Sequence, residues 1–209
     1  MALEGVKELR EKTGAGLVDC QKALGEAAGD LDKAIKLLRE RGLAKAAKKS
    51  TRVATDGAVG SYIHPGGKIG VLIEVNCETD FVAKTPEFQQ LVKDLGMQVA
   101  AATPRYVSRE EVPAAEVEAE RAIYRERARQ SGKPEKVIER MVEGQVESFF
   151  KEVCLLEQPF IKQSDRTVNE IVQEAIVRFG VNVAVRRFAR FQLGETAPKE
   201  SPAGGAPGA

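Results

Sequence analysis

The chain has 209 residues, of which 30% are charged and 43% apolar, and its formal net charge is +1. This size allows one core of ordinary extent with a small satellite, and the balance is that of a soluble globular protein. Near-neutrality excludes a molecule that binds polyanions over its whole surface, and no apolar run approaches the roughly 20 residues of a membrane helix.

Charge interrupts the opening Met1-Ala2-Leu3-Glu4-Gly5 at once, so it does not read as a signal peptide, and the cytoplasm is the simplest address. The first 50 residues read as three short helices. Val6 and Leu9 mark the apolar side of the first, and Gly14 is placed as its C-terminal cap. A second runs from about Leu17 to Ala27. Asp30 then caps a third, whose Leu31, Ala34, Ile35 and Leu38 follow helical spacing. Three helices of this size predict a separate small domain over residues 1–52.

Residues 1–52 hold twelve Lys or Arg against eight Asp or Glu, and Arg41, Lys45, Lys48, Lys49 and Arg52 all follow the last acid, Glu40. The stretch from Ala44 to Ala54 reads as a basic, alanine-rich connection. Its charges fit either a solvated linker or a phosphate-binding patch, and no interleaved aromatics support the second.

Beyond this connection the period changes to two. Val59, Ser61 and Ile63 alternate with Gly60, Tyr62 and His64; after Pro65-Gly66-Gly67, the residues Ile69, Val71, Ile73, Val75 and Cys77 alternate with polar or small ones. This predicts a β-hairpin with one apolar face, and His64 as a surface residue beside the turn. Thr85-Pro86 starts a covering helix with the stripe Phe88, Leu91, Val92, Leu95 and Val99. Residues 103–115 form a loop. A helical excursion covers 116–156, broken at Ser131-Gly132-Lys133-Pro134. Thr167 begins a further helix closed by Gly180, a last strand runs Val181 to Leu193, and residues 195–209 read as a disordered tail. The fold class is α+β: a three-helix module, then a core (53–194) with a small antiparallel sheet covered by helices.

Enzyme signatures are missing. There is no Walker phosphate loop, no HExxH, no GxSxG, and the three cysteines (Cys20, Cys77, Cys154) lack metal or disulfide spacing, which predicts reduced, buried thiols. No cofactor and no metal are expected. The unusual stretch is Asn76-Cys77-Glu78-Thr79-Asp80-Phe81-Val82, where Thr79 can cap a single helical turn at the sheet's end. Phe81 then either folds back into the core or stands out as an anchor for a partner, with Asp80 beside it.

Thr13-Gly14-Ala15-Gly16-Leu17-Val18-Asp19 and Asn76-Cys77-Glu78-Thr79-Asp80-Phe81-Val82-Ala83 resemble the two signatures of the bacterial elongation factor Ts family. Leu155-Leu156-Glu157-Gln158-Pro159-Phe160 is similar to a third block of that family, and Lys45 to Lys49 and Val185 to Phe188 are similar too. The ordered set spans residues 2–194 and favours the anchor reading of Phe81. The resemblance implies guanine nucleotide exchange on elongation factor Tu, with no covalent chemistry. It implies that residues 1–52 have a ubiquitin-associated-type fold docking on the partner's G domain through Arg10, Leu17 and Val18. It also implies that Thr79, Asp80, Phe81 and Val82 enter the partner near its magnesium site. Members of the family often carry Met at the positions of Leu17 and Val18; both residues here are apolar.

The chain is similar to the short form of the family, with one core half, and a single small sheet leaves an edge and a face to be covered. A homodimer is therefore expected. No direct nucleotide binding, nucleic-acid partner or membrane partner is expected. The competing reading is a ubiquitin-associated-type adaptor without exchange activity, which has no need of the Thr79–Val82 turn.

Overall fold

In a computed structural model, which describes residues 2–13 and 15–195, the N-terminal segment folds as α1 (Ala2–Thr13), α2 (Leu17–Glu26) and α3 (Leu31–Lys49). Val6, Leu9, Cys20, Ala23, Leu24 and Ala34 bury one small core between them. The expected cap at Gly14 and the expected tail 196–209 lie outside the described residues. Asp30 caps α3 as expected, its side chain accepting from the Lys33 amide at 3.0 Å.

α3 runs further than its periodicity suggests. Most of the stretch from Ala44 onward is helix rather than connection, because Ala and Lys are strong helix formers and Ala46 is fully buried against the main core. The same helix thus serves two cores.

The sheet is antiparallel in the order β1-β2-β5, formed by β1 (Asp56–Ile63), β2 (Ile69–Cys77) and β5 (Val183–Gln192). On β2 the alternation holds: Val71, Ile73, Val75 and Cys77 point inward and are buried. On β1 it does not. The register sets Ala58, Gly60 and Tyr62 opposite Val75, Ile73 and Val71, so these smaller or amphipathic residues face the core. Val59 and Ile63 face away and are 69% and 64% exposed. Both sides of the hairpin therefore carry apolar residues, not one. A bulge between Glu74 and Val75 shifts the β2–β5 register at Arg186.

Helix α5 (Pro86–Ala102) lies across the inner face. Thr85 caps it, with Pro86 in its first turn, and Phe88, Leu91, Val92, Leu95 and Val99 are all buried. Phe88 meets Phe179 of α8 (Val168–Phe179) with ring centroids 6.0 Å apart. A capping box at Thr167 and Glu170 starts α8, and Gly180, left-handed at φ 74°, ends it.

Between these helices the chain makes the antiparallel pair α6 (Ala114–Arg129) and α7 (Glu135–Val153), followed by a short hairpin, β3 (Pro159–Phe160) with β4 (Gln163–Thr167). This hairpin has no apolar alternation to betray it. It hangs on a buried amide pair. Gln98 of α5 donates to the side-chain oxygen of Gln158 and to the carbonyl of Pro159, each at 3.2 Å, and accepts from the Ile161 amide at 2.8 Å. Gln158 in turn donates to the carbonyls of Ala102 and Glu152. Arg109 pins the base of the helical pair, binding both carboxylate oxygens of Glu147, pairing with Glu157, and lying 4.6 Å from the Phe150 ring centre.

α5 can approach β1 only because Gly60 has no side chain. A Cβ there would stand 2.3 Å from Cγ1 of Val92, which is 2% exposed, branched at Cβ and unable to swing aside. Gly60→Ala is expected to destabilise the protein by about 1–3 kcal/mol through overpacking. Gly144→Ala, in the exposed interior of α7 with nothing within 4 Å, is expected to stabilise it by about 0.5–1 kcal/mol. Urea unfolding midpoints of the two variants should move in opposite directions.

Candidate functional site

The site begins where β2 leaves the sheet. Cys77 is paired with Val183 at the end of the ladder, and its thiol donates to the carbonyl of Thr79 at 3.1 Å. Burial pushes the Cys77 thiol pKa up, so it stays a proton donor. Thr79 is extended, and its hydroxyl accepts from the Val82 amide at 3.4 Å, starting the single turn α4 (Asp80–Ala83).

On a helical turn, residues two apart point about 200° from each other. Ala83 is buried and Val82 packs on the core, so Phe81 is turned outward and is 79% exposed. The core reading of Phe81 is thereby excluded. The turn is braced from behind. Thr85 donates its hydroxyl to the Val82 carbonyl at 2.8 Å while capping α5, and Gln89 donates to the Ala83 carbonyl at 2.7 Å. Asp80 forms an exposed pair with Lys84 at 2.7 Å, one helical turn on, and this partner holds its carboxyl below the usual range. The arrangement is an apolar ring beside an ionised carboxylate, on a support that does not need the ring for its own folding.

Arg10 on α1 and Leu17 and Val18 in the first turn of α2 are exposed. Thr13 and Ala15 hold the bend between these helices, since the Thr13 hydroxyl donates to the Leu9 carbonyl and accepts from the Ala15 amide. Asp19, next to Val18, pairs with Lys45 of α3 at 2.9 Å. Among the described residues no hydrogen bond or ion pair joins these three residues to the Thr79–Val82 turn. They form a second surface on separate elements.

Most of the basic run on α3 is already engaged. Arg41 pairs with Glu26, Lys45 with Asp19, Lys49 donates to the Gly180 carbonyl at 2.6 Å, and Arg52 lies 3.6 Å from Glu78. These contacts support the structural reading of the run over a phosphate-binding patch. A cleft of about 460 Å³ between α3 and α8 also contains Arg39, Arg166 and Arg178, yet these pair with Glu170 and Glu174. No group of three or more His, Cys, Asp or Glu side chains among the described residues is arranged to hold a metal. No described helix is long and apolar enough to cross a membrane.

Two features escape the sequence reading. One is the outer face of the sheet, where Val59, Ile63, Leu72 and Phe191 are exposed side by side. The β-period was visible, but not the register that aligns these residues. The other is Asn182, buried beside the turn, whose main-chain amide donates to Glu78 at 2.5 Å. Only the neighbouring Gly180 hints that the chain changes direction there.

A family model described as Elongation factor TS matches residues 20–195. Among curated proteins, the chain is 60% identical to an elongation factor Ts of Heliobacterium modesticaldum over 190 residues, which is 91% of this chain and 88% of that one. It is 61% identical to that of Syntrophomonas wolfei over 198 residues, 95% of this chain and 92% of the other. With that of Thermoanaerobacter sp. the identity is 56% over 195 residues, 93% and 96% of the two chains. The family model spans most of α2 and all of α3, together with the sheet and the Asp80–Phe81 turn, and the chain belongs to the elongation factor Ts family.

Proposed function

We propose that this chain is a guanine nucleotide exchange factor: it binds the GDP form of elongation factor Tu and promotes release of GDP and Mg²⁺, so that GTP can rebind. The observation that carries the reading is the exposed Phe81 on its braced turn, with the Asp80 carboxylate beside it. Arg10, Leu17 and Val18 dock the three-helix module on the partner's G domain. Thr79 and Val82 hold the turn in shape while Asp80 and Phe81 enter near the magnesium site. This reading places the chain in the cytoplasm, with no nucleotide, nucleic acid or membrane bound by the chain itself.

Such a factor makes and breaks no covalent bond. It binds best to the state of its partner in which the nucleotide fits poorly, and by reciprocity GDP loosens the factor by the same ratio. An apolar wedge that displaces the elements around Mg²⁺ leaves phosphate charge uncompensated, and Asp80 adds negative charge at the same place. A coupling of about 3 kcal/mol corresponds to roughly 150-fold in affinity.

The outer sheet face supports a homodimer. Val59, Ile63, Leu72 and Phe191 form an apolar strip, Gly70 and Ala189 are small enough for close approach, and the Glu74–Arg187 pair lies on the same face. A twofold axis brings one such patch against its own copy, and the apolar area is then removed from water on both chains.

Release of fluorescent GDP from elongation factor Tu tests the exchange reading. The unmodified chain is expected to accelerate release in magnesium buffer. Phe81→Ala should lose on the order of thirtyfold of that acceleration, as for a hot-spot side chain worth about 2 kcal/mol, while its unfolding free energy stays within about 0.5 kcal/mol. No acceleration by the folded, unmodified chain would discard this reading. Sedimentation at micromolar concentration should show a dimer, and Ile63→Glu combined with Phe191→Glu should give a folded monomer; an unmodified chain that sediments as a monomer rejects the dimer.

A further inference from the structure

Glu78 and Asn182 belong to none of the surfaces described above, yet three chain segments meet at them. The Glu78 carboxylate accepts from the Asn182 main-chain amide at 2.5 Å and faces the Arg52 guanidinium at 3.6 Å. The Asn182 side chain donates to the carbonyls of Arg52 at 2.7 Å and Ser50 at 3.2 Å. Lys49 adds a tie to the Gly180 carbonyl at 2.6 Å. The segments joined are the exit of α3, the residue preceding the Thr79 cap, and the bend from α8 into β5.

The geometry is demanding. Asn182 is 4% exposed, and its side-chain nitrogen is held by two hydrogen bonds to main-chain carbonyls. Two main-chain carbonyls facing the same nitrogen fix its orientation. Their partner residues lie at the end of the helix that carries the three-helix module, whereas Glu78 lies two residues before Asp80.

From this junction we infer that Glu78 and Asn182 are positioning residues for exchange: they lock the Asp80–Phe81 turn to the end of α3, so that the wedge and the three-helix module meet the partner as one body. The inference rests on the exchange reading above and adds to it the requirement that the two surfaces be held in register. Removing the Glu78 carboxylate leaves the Phe81 ring in place on the surface but frees the stem of its turn. The partner still binds, while the wedge enters less often in the productive direction.

The test uses the full chain with Glu78→Ala, Asn182→Ala and Glu78→Gln. Because the chain has no tryptophan, Phe81→Trp provides a single-indole reporter of the turn in each background. Glu78→Ala and Asn182→Ala are expected to lower the maximal rate of GDP release at saturating factor by roughly tenfold, the scale at which single positions modulate coupling, with a smaller change in the half-saturating concentration. In the same variants the reporter's fluorescence anisotropy falls. Glu78→Gln, whose amide oxygen still accepts from Asn182, restores most of both signals. If Asn182→Ala unfolds, the partly exposed Glu78 variants carry the comparison. An unchanged maximal rate per folded molecule with unchanged anisotropy in Glu78→Ala overturns the inference and leaves exchange standing. If instead the unmodified chain does not accelerate GDP release, the exchange reading falls, and the anisotropy comparison, which needs no partner, still decides whether Glu78 fixes the turn.

Discussion

The Cys77–Val183 pair is the last rung of the central ladder, and the position of the exposed turn depends on it. β2 is buried on its inner face from Val71 to Cys77, so its register against β5 cannot slip by one residue without turning Val71, Ile73, Val75 and Cys77 to solvent. With the register fixed, the chain must leave the sheet at Cys77. A short polar exit follows, and the Thr79 hydroxyl closes a helical turn at once. The helical rotation then decides the rest: Ala83 inward, Phe81 outward. An exposed aromatic on this turn is thus a consequence of sheet register plus one cap, with the support of the turn built from residues other than the ring itself.

Among the described residues the sheet is covered on one side only. α5 and α8 bury its inner face, and three strands provide no second layer for the outer one. In a domain of this size that exposure has a solubility cost unless something covers it, and the small residues Gly70 and Ala189 leave the face flat enough to be covered by a like surface. The two exposed apolar features of the core differ in kind. Phe81 is a lone ring on a convex turn, suited to insertion, while the Val59–Phe191 strip is broad and shallow, suited to packing face to face.

Local chemistry was legible in the sequence wherever a residue acts on its own neighbours. Asp30, Thr79, Thr85 with Pro86, and Gly180 mark the element ends at which they are found, because caps and left-handed positions depend on a few adjacent residues. The inward face of β2 was legible for the same reason. β1 was not, since the side facing the core there is the one bearing Gly60, selected by the close passage of Val92 rather than by hydrophobicity. Nor was the extension of α3, whose Ala and Lys run suits a helix or a linker equally until Ala46 finds the core. The Glu78–Asn182 bond joins residues 104 positions apart, and no short-range pattern encodes it.

The continuity of α3 has a thermodynamic consequence for recognition. Its 19 residues extend over about 28 Å without a break, with Leu38 in the small core and Ala46 in the large one. A module on a slack tether would have to give up translational and rotational freedom separately when it engaged a partner, and its effective concentration there would depend on tether length. A module on a helical strut has surrendered that freedom during folding. The helix acts as a ruler: a surface that presents two sites at the matching separation gains both contacts for nearly one association entropy, and a surface with another spacing is rejected however well each site fits alone.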